Sequence, residues 1–221
     1  MKKRYIFEAI IGFLILAVFI VAYFGRLIPS SIKIEETRES EFALNMDPSL
    51  FYREGKYTCA TYSVMAVLNI IYGSKRSAES VLSSTSWRLS DKKTYPQGVI
   101  NILRMNGISI QEYVLNNRSE ETKINWLKGE LSKGNPIILM IMTEISQHYV
   151  VVVGYDEDGF MLYDSEQNAS PDNSELTIVD TRCKSGNRYY TNKELIDMWS
   201  QGYADILFKN WAIVCKMESL R

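Results

Sequence analysis

Histidine and cysteine are scarce in this sequence. Its 221 residues include one histidine, His148, and three cysteines, Cys59, Cys183 and Cys215. A single histidine excludes metal sites with several imidazole ligands, and dispersed cysteines without a CxxC spacing do not form a typical zinc site. Three cysteines are also too few for a disulfide scaffold. We therefore expect neither a metal nor another cofactor.

An excess of either charge is also missing. The 25 basic and 26 acidic residues give a net charge of −1, so no basic surplus is available to bind nucleic acid. No GxxxxGK[ST] phosphate-binding loop occurs, which excludes a P-loop ATPase part. Hydrophobic residues make up 46% of the chain and charged residues 23%, a composition typical of globular proteins. A chain of this length is expected to form one domain, or one domain with an appendage.

The N-terminal region contains a long apolar run. Residues 9–25 read AIIGFLILAVFIVAYFG, 17 positions without a charge, and Tyr5 and Ile6 extend the run to the thickness of a bilayer. A buried core helix is excluded because this segment is apolar on all sides. No small-x-small cleavage site follows the run, which favours an uncleaved anchor over the alternative, a secretory signal peptide.

The flanking charges predict how the anchor is oriented. Lys2, Lys3 and Arg4 precede the apolar run, and by the positive-inside rule they hold the N-terminus in the cytoplasm. We therefore expect a single-pass protein of the cell membrane whose folded domain lies outside the cytoplasm. The predicted parts are a cytoplasmic stub over 1–4, a transmembrane anchor over 5–25, a polar tether over 26–41 and a folded domain over 42–217.

Apolar periodicity divides the domain into a helical half and a strand-rich half. It predicts helices over 59–72, 77–82, 97–105 and 120–131. Thr58 and Gly73 are the expected caps of the first helix. The predicted strands cover 108–114, 137–142, 148–155, 159–163, 176–179 and 211–216. A Thr191-Asn192-Lys193-Glu194 capping box starts a helix that runs through Trp199. Helices followed by an antiparallel sheet indicate an α+β fold.

Three residues in this arrangement have the chemistry of a thiol catalyst. Cys59 lies in the first turn of a helix, where unpaired N–H groups and the helix dipole favour a thiolate. His148 opens the most apolar strand, HYVVVVGY, where a histidine has no packing role. Asp164 ends the next strand, and an antiparallel pair would bring it beside His148. A base and the carboxylate that orients it need this geometry.

These residues occur in segments that resemble one peptidase family. CATYS at 59–63 with LNIIYG at 68–73 resembles the nucleophile helix of papain-like peptidases related to the bacteriocin-leader-processing, or double-glycine, peptidases. GNPII at 134–138, followed by HYVVVVGY at 148–155, resembles the histidine strand of these peptidases. FMLYD at 160–164 resembles their aspartate strand.

The resemblance to this family, the peptidase C39-like domains, implies a fold and a chemistry. The fold would be papain-like, with a helical half packed on an antiparallel sheet. The activity would be that of a cysteine peptidase acting on peptide or protein substrates. Cys59 would be the nucleophile, His148 the base, and Asp164 the residue that orients His148.

One family feature is missing. The family usually has a glutamine several residues before the cysteine that donates a hydrogen bond to the oxyanion, but the first glutamine here is Gln97. Loss of one oxyanion donor typically costs about 100- to 1000-fold in rate. Arg53 is the best-placed substitute because its guanidinium forms charge-assisted hydrogen bonds, and Tyr52 and Tyr57 are further candidates.

We therefore expect a membrane-anchored cysteine peptidase, and the Ile/Lys/Asn-rich composition is typical of bacterial proteins. Two alternatives use the same three residues. The missing glutamine favours a catalytically impaired domain that binds a peptide or a partner. An intact Cys–His–Asp set is also compatible with a thiol acyltransferase or transglutaminase-like enzyme. Outside the cell, Cys183 and Cys215 would either pair or stay free, and their loop and core positions favour free thiols.

Overall fold

The computed structural model describes residues 2–35, 37, 39–46, 58–74, 76–89, 93–144, 146–165 and 183–217. The helices are α1 (Lys2–Phe24), α2 (Cys59–Tyr72), α3 (Ala78–Ser83), α4 (Pro96–Met105), α5 (Glu120–Leu131) and α6 (Asn192–Gln201). The strands are β1 (Phe42–Ala43), β2 (Ile108–Val114), β3 (Ile137–Met142), β4 (Gln147–Tyr155), β5 (Gly159–Tyr163), β6 (Arg188–Thr191) and β7 (Trp211–Met217).

The strands form one antiparallel sheet. Its order is β2-β7-β3-β4-β5-β6, and β1 pairs with the end of β4 beyond the part that β3 covers. Central strands β3, β4 and β5 are buried at almost every position. Because successive side chains point to opposite faces of a sheet, helices must cover both faces. The expected α+β fold, with helices packed on an antiparallel sheet, is confirmed.

Local sequence signals explain where α2 ends and where α6 begins. Gly73 ends α2 in the left-handed conformation, and its N–H donates to the Asn69 carbonyl. The predicted cap at the other end is wrong, because the Thr58 side chain makes no capping hydrogen bond to α2. Helix α6 begins with the predicted capping box, in which Thr191 and Glu194 bond each other's backbone N–H groups.

Most predicted elements agree with the structure within one or two residues, but β1 and β6 were not predicted. Residues 188–191, next to the predicted capping box, form β6 and extend the sheet beside β5. Both missed strands are short, and their pairing partners rather than their own sequences determine them. The strand predicted over 176–179 lies outside the described residues.

The N-terminal helix stands apart from the domain until its last turn. α1 has 23 residues, about 35 Å of helix, and the segment Tyr5–Phe24 is long and apolar enough to cross a membrane. None of that segment is buried by the rest of the chain. Length and composition are the only evidence for a membrane span, and a signal sequence has the same properties.

The described part of the predicted tether lies against the domain. The Ser30 N–H donates to the Val114 carbonyl at 2.8 Å, and the Ser30 hydroxyl accepts from the Val114 N–H at 2.9 Å. Further along, the Glu35 carbonyl lies so close to Gly129 of α5 that a Cβ there would approach it to 2.9 Å. Glycine at this position therefore lets the segment follow the surface of α5 closely.

Candidate active site

Cys59 is held at the start of α2 by the packing of that helix on β4. The apolar face of α2 is fully buried, and the Ser63 hydroxyl donates to the Tyr149 carbonyl at 3.1 Å. This bond joins α2 to β4 one residue after His148. Cys59 itself is only half-buried and lies at the edge of the core.

His148 and Asp164 form a buried pair. Strands β4 and β5 pair at Val151 and Tyr163, which brings the end of β5 beside the start of β4. His148 Nε2 and Asp164 Oδ1 are 2.8 Å apart. The two side chains are almost fully buried, with 2% of His148 and 3% of Asp164 exposed. A polar pair so far from water is stable only because each group satisfies the other.

The charges around His148 favour its protonated form. Burial by itself lowers the pKa of this imidazole, but hydrogen bonds and charge interactions with Asp164 and then Cys59 outweigh burial and raise the pKa well above 6.5. Cys59 is thus close enough to His148 to influence the pKa of the imidazole. Asp164 bonds Nε2 of the same ring. The structure brings together the three residues that the sequence pattern predicted.

Asn187 positions Asp164 from the other side. Its side-chain amide donates to the Asp164 carbonyl at 2.8 Å, and its amide oxygen accepts from the Asp164 N–H at 2.8 Å. Asn187 is fully buried. Gly186 precedes it with a φ of 76°, and a Cβ there would lie 2.3 Å from the Leu162 carbonyl. Only glycine fits this turn, which directs Asn187 inward.

Arg188 adds a cation near the same carboxylate. Its Nε lies 3.8 Å from Asp164 Oδ2, the oxygen that does not face His148. Sequence reasoning missed both Asn187 and Arg188. The Gly-Asn dipeptide is a turn signal, but nothing in the sequence alone links that turn to an aspartate more than twenty residues earlier.

The predicted oxyanion donors can be located only in part. Arg53, Tyr52 and Tyr57 lie outside the described residues. Gln97 bonds elsewhere: its amide oxygen accepts from Arg26 at 3.2 Å, and its amide nitrogen donates to Asn101 at 2.9 Å. The first glutamine of the chain therefore belongs to the region around the end of α1.

The other two cysteines differ from Cys59. Cys215 lies in β7 with no exposed surface, and burial raises the pKa of its thiol strongly. Cys183 is half-buried in the segment before β6. Both are free, so no disulfide joins them. Within the described ranges, no three Cys, His, Asp or Glu side chains are grouped so as to hold a metal ion.

Comparison with known proteins identifies the family. The model of the peptidase C39 like family matches residues 42–200, nearly three quarters of the chain. This chain belongs to the peptidase C39-like family. The predicted family relationship is confirmed, and all three candidate residues lie inside the matched region. No curated protein matches the sequence.

Solved structures show the same fold at low sequence identity. The peptidase domain of Streptococcus ComA, a bi-functional ABC transporter, is 14% identical with a TM-score of 0.51; the match covers 76% of this chain and 98% of that one. A putative C39-like peptidase from Bacillus anthracis is 12% identical with a TM-score of 0.52, covering 80% and 98%. The Carica candamarcensis cysteine protease CMS1MS2 is also 12% identical, with a TM-score of 0.50 and coverage of 80% and 98%. The C39-like domain described here therefore has a papain-like fold.

Proposed function

We propose that this C39-like protein is a membrane-anchored thiol peptidase that cleaves peptides or proteins through Cys59, His148 and Asp164. The observation that carries the proposal is the buried imidazole of His148, which is hydrogen-bonded to Asp164 and lies near the Cys59 thiol. A purely structural histidine has no reason to bridge a carboxylate and a half-exposed thiol at a helix N-terminus.

The proposed mechanism follows from this arrangement. The raised pKa of His148 favours an imidazolium, which is the partner that a Cys59 thiolate needs. The thiolate attacks the amide carbonyl, and His148 donates its proton to the leaving amine. Water, deprotonated by His148, then hydrolyses the acyl-enzyme and releases the new carboxylate. Asp164 keeps the imidazole oriented through both steps.

The anchoring part of the proposal depends on α1. Its segment Tyr5–Phe24 is apolar and unburied, and three basic residues precede it in the sequence. We propose that α1 crosses the cell membrane with its N-terminus in the cytoplasm and the domain outside. A membrane-impermeant protease added to intact cells should then degrade the domain. Full protection, in cells whose surface controls are digested, would contradict this orientation.

The central experiment compares the three thiols of the full chain. Iodoacetamide labelling near neutral pH, followed by mass spectrometry, should modify Cys59 first, Cys183 more slowly and Cys215 last. His148→Ala should slow only the Cys59 reaction, because it removes the base that the thiol faces. Equal rates for all three thiols, unchanged by His148→Ala, would contradict the proposal.

Activity is tested with a mixture of unstructured peptides, and new amino termini are counted. Cys59→Ser should abolish their release, whereas Cys183→Ser, which removes the other half-buried thiol and leaves Cys59 in place, should not. Isopeptide formation instead of a free carboxylate would indicate an acyltransferase. Peptide binding without cleavage by the unmodified chain would favour a binding domain, the alternative that the missing glutamine supports.

A further inference from the structure

We propose that two turns beside the end of α1 form a second membrane contact, which inserts into the interface of the bilayer that α1 crosses. The turns are residues 86–89 and 203–208, here called the exit turns. The proposal rests on the proposed anchoring by α1 and extends it: the domain would rest on the membrane instead of hanging from a tether.

Exposed apolar side chains are concentrated in the exit turns. Among the described residues beyond α1, eight large hydrophobic side chains are exposed, and four of them lie in these two short segments. They are Trp87 with 51% of its surface exposed, Leu89 with 51%, Tyr203 with 58% and Ile206 with 60%. Contiguous apolar side chains on a soluble surface mark contact with a partner or a membrane.

Both exit turns pack against the last residues of α1. The indole of Trp87 stacks on the Phe24 ring with centroids 6.3 Å apart. From the other turn, the Phe208 N–H donates to the Gly25 carbonyl at 3.1 Å. Leu207 lies so close that a Cβ on Gly25 would approach one of its methyl groups to 2.6 Å. Both exit turns, and the exposed indole of Trp87, therefore adjoin the end of the apolar helix.

The level of these turns along α1 is that of the membrane interface. A 23-residue helix is about 35 Å long, slightly more than the hydrocarbon thickness, so its last turn emerges into the headgroup region. Trp87 stacks on that last turn. Tryptophan and tyrosine are enriched at this depth because their rings are apolar and their N–H or O–H groups are polar.

Backbone strain is concentrated in the same place. Six described residues other than glycine have a positive φ: Arg26, Trp87, Ala204, Asp205, Phe208 and Asn210. All lie in the exit turns or within two residues of an exit turn or of the end of α1. Such conformations are costly for residues with a Cβ, and they persist where the surroundings impose them. Among the six, Trp87 combines a left-handed backbone with an exposed apolar side chain, whereas Arg26, Phe208 and Asn210 are buried.

A network of hydrogen bonds fixes the position of the domain relative to the end of α1. Arg26 is 6% exposed, and its Nε donates to Glu112 Oε1 at 2.6 Å. The indole of Trp211 donates to the same carboxylate oxygen at 2.6 Å. The Tyr95 hydroxyl donates to the Phe24 carbonyl at 3.0 Å. These bonds join α1 to the core, so the exit turns cannot swing away from the helix.

A lipid bilayer is the occupant that these observations favour over a protein partner. Its surface must pass through the end of α1 if the helix spans it, which no partner protein is required to do. The exit turns contain Arg88 and Asp205, and Lys93 and Lys209 lie just beside them, which is a small basic surplus. The exposed side chains are nevertheless mainly apolar, so we expect the contact in neutral membranes and a somewhat stronger one in anionic membranes.

Tryptophan fluorescence provides a natural probe. Of the four tryptophans, Trp126, Trp199 and Trp211 are at most 2% exposed, and only Trp87 faces solvent. The full chain is reconstituted in phosphatidylcholine vesicles whose acyl chains carry bromine, a contact quencher of indole. We expect a loss of about a quarter of the emission relative to unbrominated vesicles, one tryptophan of four. Trp87→Phe should remove that loss.

Relocated tryptophans in the Trp87→Phe chain give matched reporters. Ile206→Trp should be quenched because it lies in the other exit turn. Met105→Trp should not be quenched: Met105 is 71% exposed but lies at the far end of α4, whose first residue follows Tyr95. The ten residues of α4 place Met105 about 15 Å from Tyr95, whose hydroxyl bonds the end of α1.

A reporter inside α1 separates failure of this inference from failure of the anchoring proposal. Phe13→Trp, also in the Trp87→Phe chain, should be quenched if α1 spans the bilayer. Quenching at position 13 without quenching at 87 or 206 would overturn the exit-turn contact and leave the anchor intact. No quenching at 13 would overturn the anchor, and with it the present inference. Unchanged emission from the three buried tryptophans in unbrominated vesicles checks that each variant is folded.

Discussion

At the candidate active site, a buried imidazole in β4 and a buried carboxylate just after β5 satisfy each other 2.8 Å apart. At the end of α1 the situation is reversed. The indole of Trp87 is half exposed, and its backbone is left-handed. The comparison shows two ways to build a surface. One pairs polar groups in the core beside a thiol at its edge, and the other exposes apolar side chains on short turns beside the end of a helix.

The difference predicts that the two regions can be damaged separately. His148→Ala should lower kcat/KM by about 10⁴-fold or more, because the thiol loses its base. It should leave quenching of Trp87 by brominated lipid unchanged. Trp87→Phe should have the opposite pattern, with full activity on soluble peptides and no quenching. Peptide hydrolysis and Trp87 quenching are measured on the same reconstituted protein. Gln147→Ala, at the neighbouring position of β4, is the control for His148→Ala.

A variant that lost both properties would break this separation. Loss of Trp87 quenching in His148→Ala would mean that the active site and the exit turns fold as one unit, and not as two independently built regions.

The oxyanion donor is expected to have the next largest effect. Arg53→Ala should lower kcat by about 100-fold with little change in KM, since the lost hydrogen bond forms mainly in the transition state. Steady-state hydrolysis of one identified peptide measures both constants. Lys56→Ala, which removes a cation from the same segment, is the control. Unchanged turnover in Arg53→Ala would direct attention to Tyr52 and Tyr57.

Sequence reasoning succeeded where the signal is local or strongly periodic. Helices α2 and α5 and strands β2, β3 and β5 begin and end where predicted, because apolar period and turn residues mark their boundaries. The three candidate residues were proposed on a similar basis, since each stands out against its own element: a thiol at a helix start, an imidazole in an apolar strand, a carboxylate at a strand end.

It missed features that only tertiary contacts create. Asn187 reaches Asp164 across a turn, and Arg26 reaches Glu112 across 86 positions of sequence. The exit turns carry no glycine where the backbone is left-handed. Their conformation is imposed by neighbouring segments, so no local pattern predicts it.

A substitution of Asn187 tests whether the candidate active site depends on buried hydrogen bonds for its stability. Asn187→Ala removes two backbone hydrogen bonds to Asp164 and leaves the Asp164 N–H unpaired in the core. We expect the free energy of unfolding to fall by about 2 kcal/mol, the usual cost of an unsatisfied buried group. Urea unfolding of the full chain in detergent measures it. Asn117→Ala, at an exposed turn position before α5, is the control, and an equal loss in both variants would contradict a special role for Asn187.

The buried pair also predicts a pH dependence of stability. The folded pKa of His148 lies above its unfolded value near 6.5, so its contribution is complete below that value and is lost as pH rises through the folded pKa. Stability should fall over this window by up to about 1.4 kcal/mol per pH unit. Asp164→Asn should flatten the slope between pH 6.5 and 9, whereas Asp205→Asn should not. A slope that Asp164→Asn leaves unchanged would show that another group titrates.

The smallest effect tests the strain at the exit turns. Ala204 has a φ of 50°, where a Cβ costs about 1–2 kcal/mol and glycine costs nothing. Ala204→Gly should therefore raise the free energy of unfolding by about 0.5–1 kcal/mol, after allowance for the greater freedom of glycine in the unfolded chain. Ala78→Gly, at the first turn of α3, should change stability in the opposite direction because glycine is a poor helix former. Thermal unfolding in detergent compares the two. If Ala204→Gly destabilised the protein as Ala78→Gly does, the exit turns would not be strained, and the contrast with the relaxed strands of the active site would disappear.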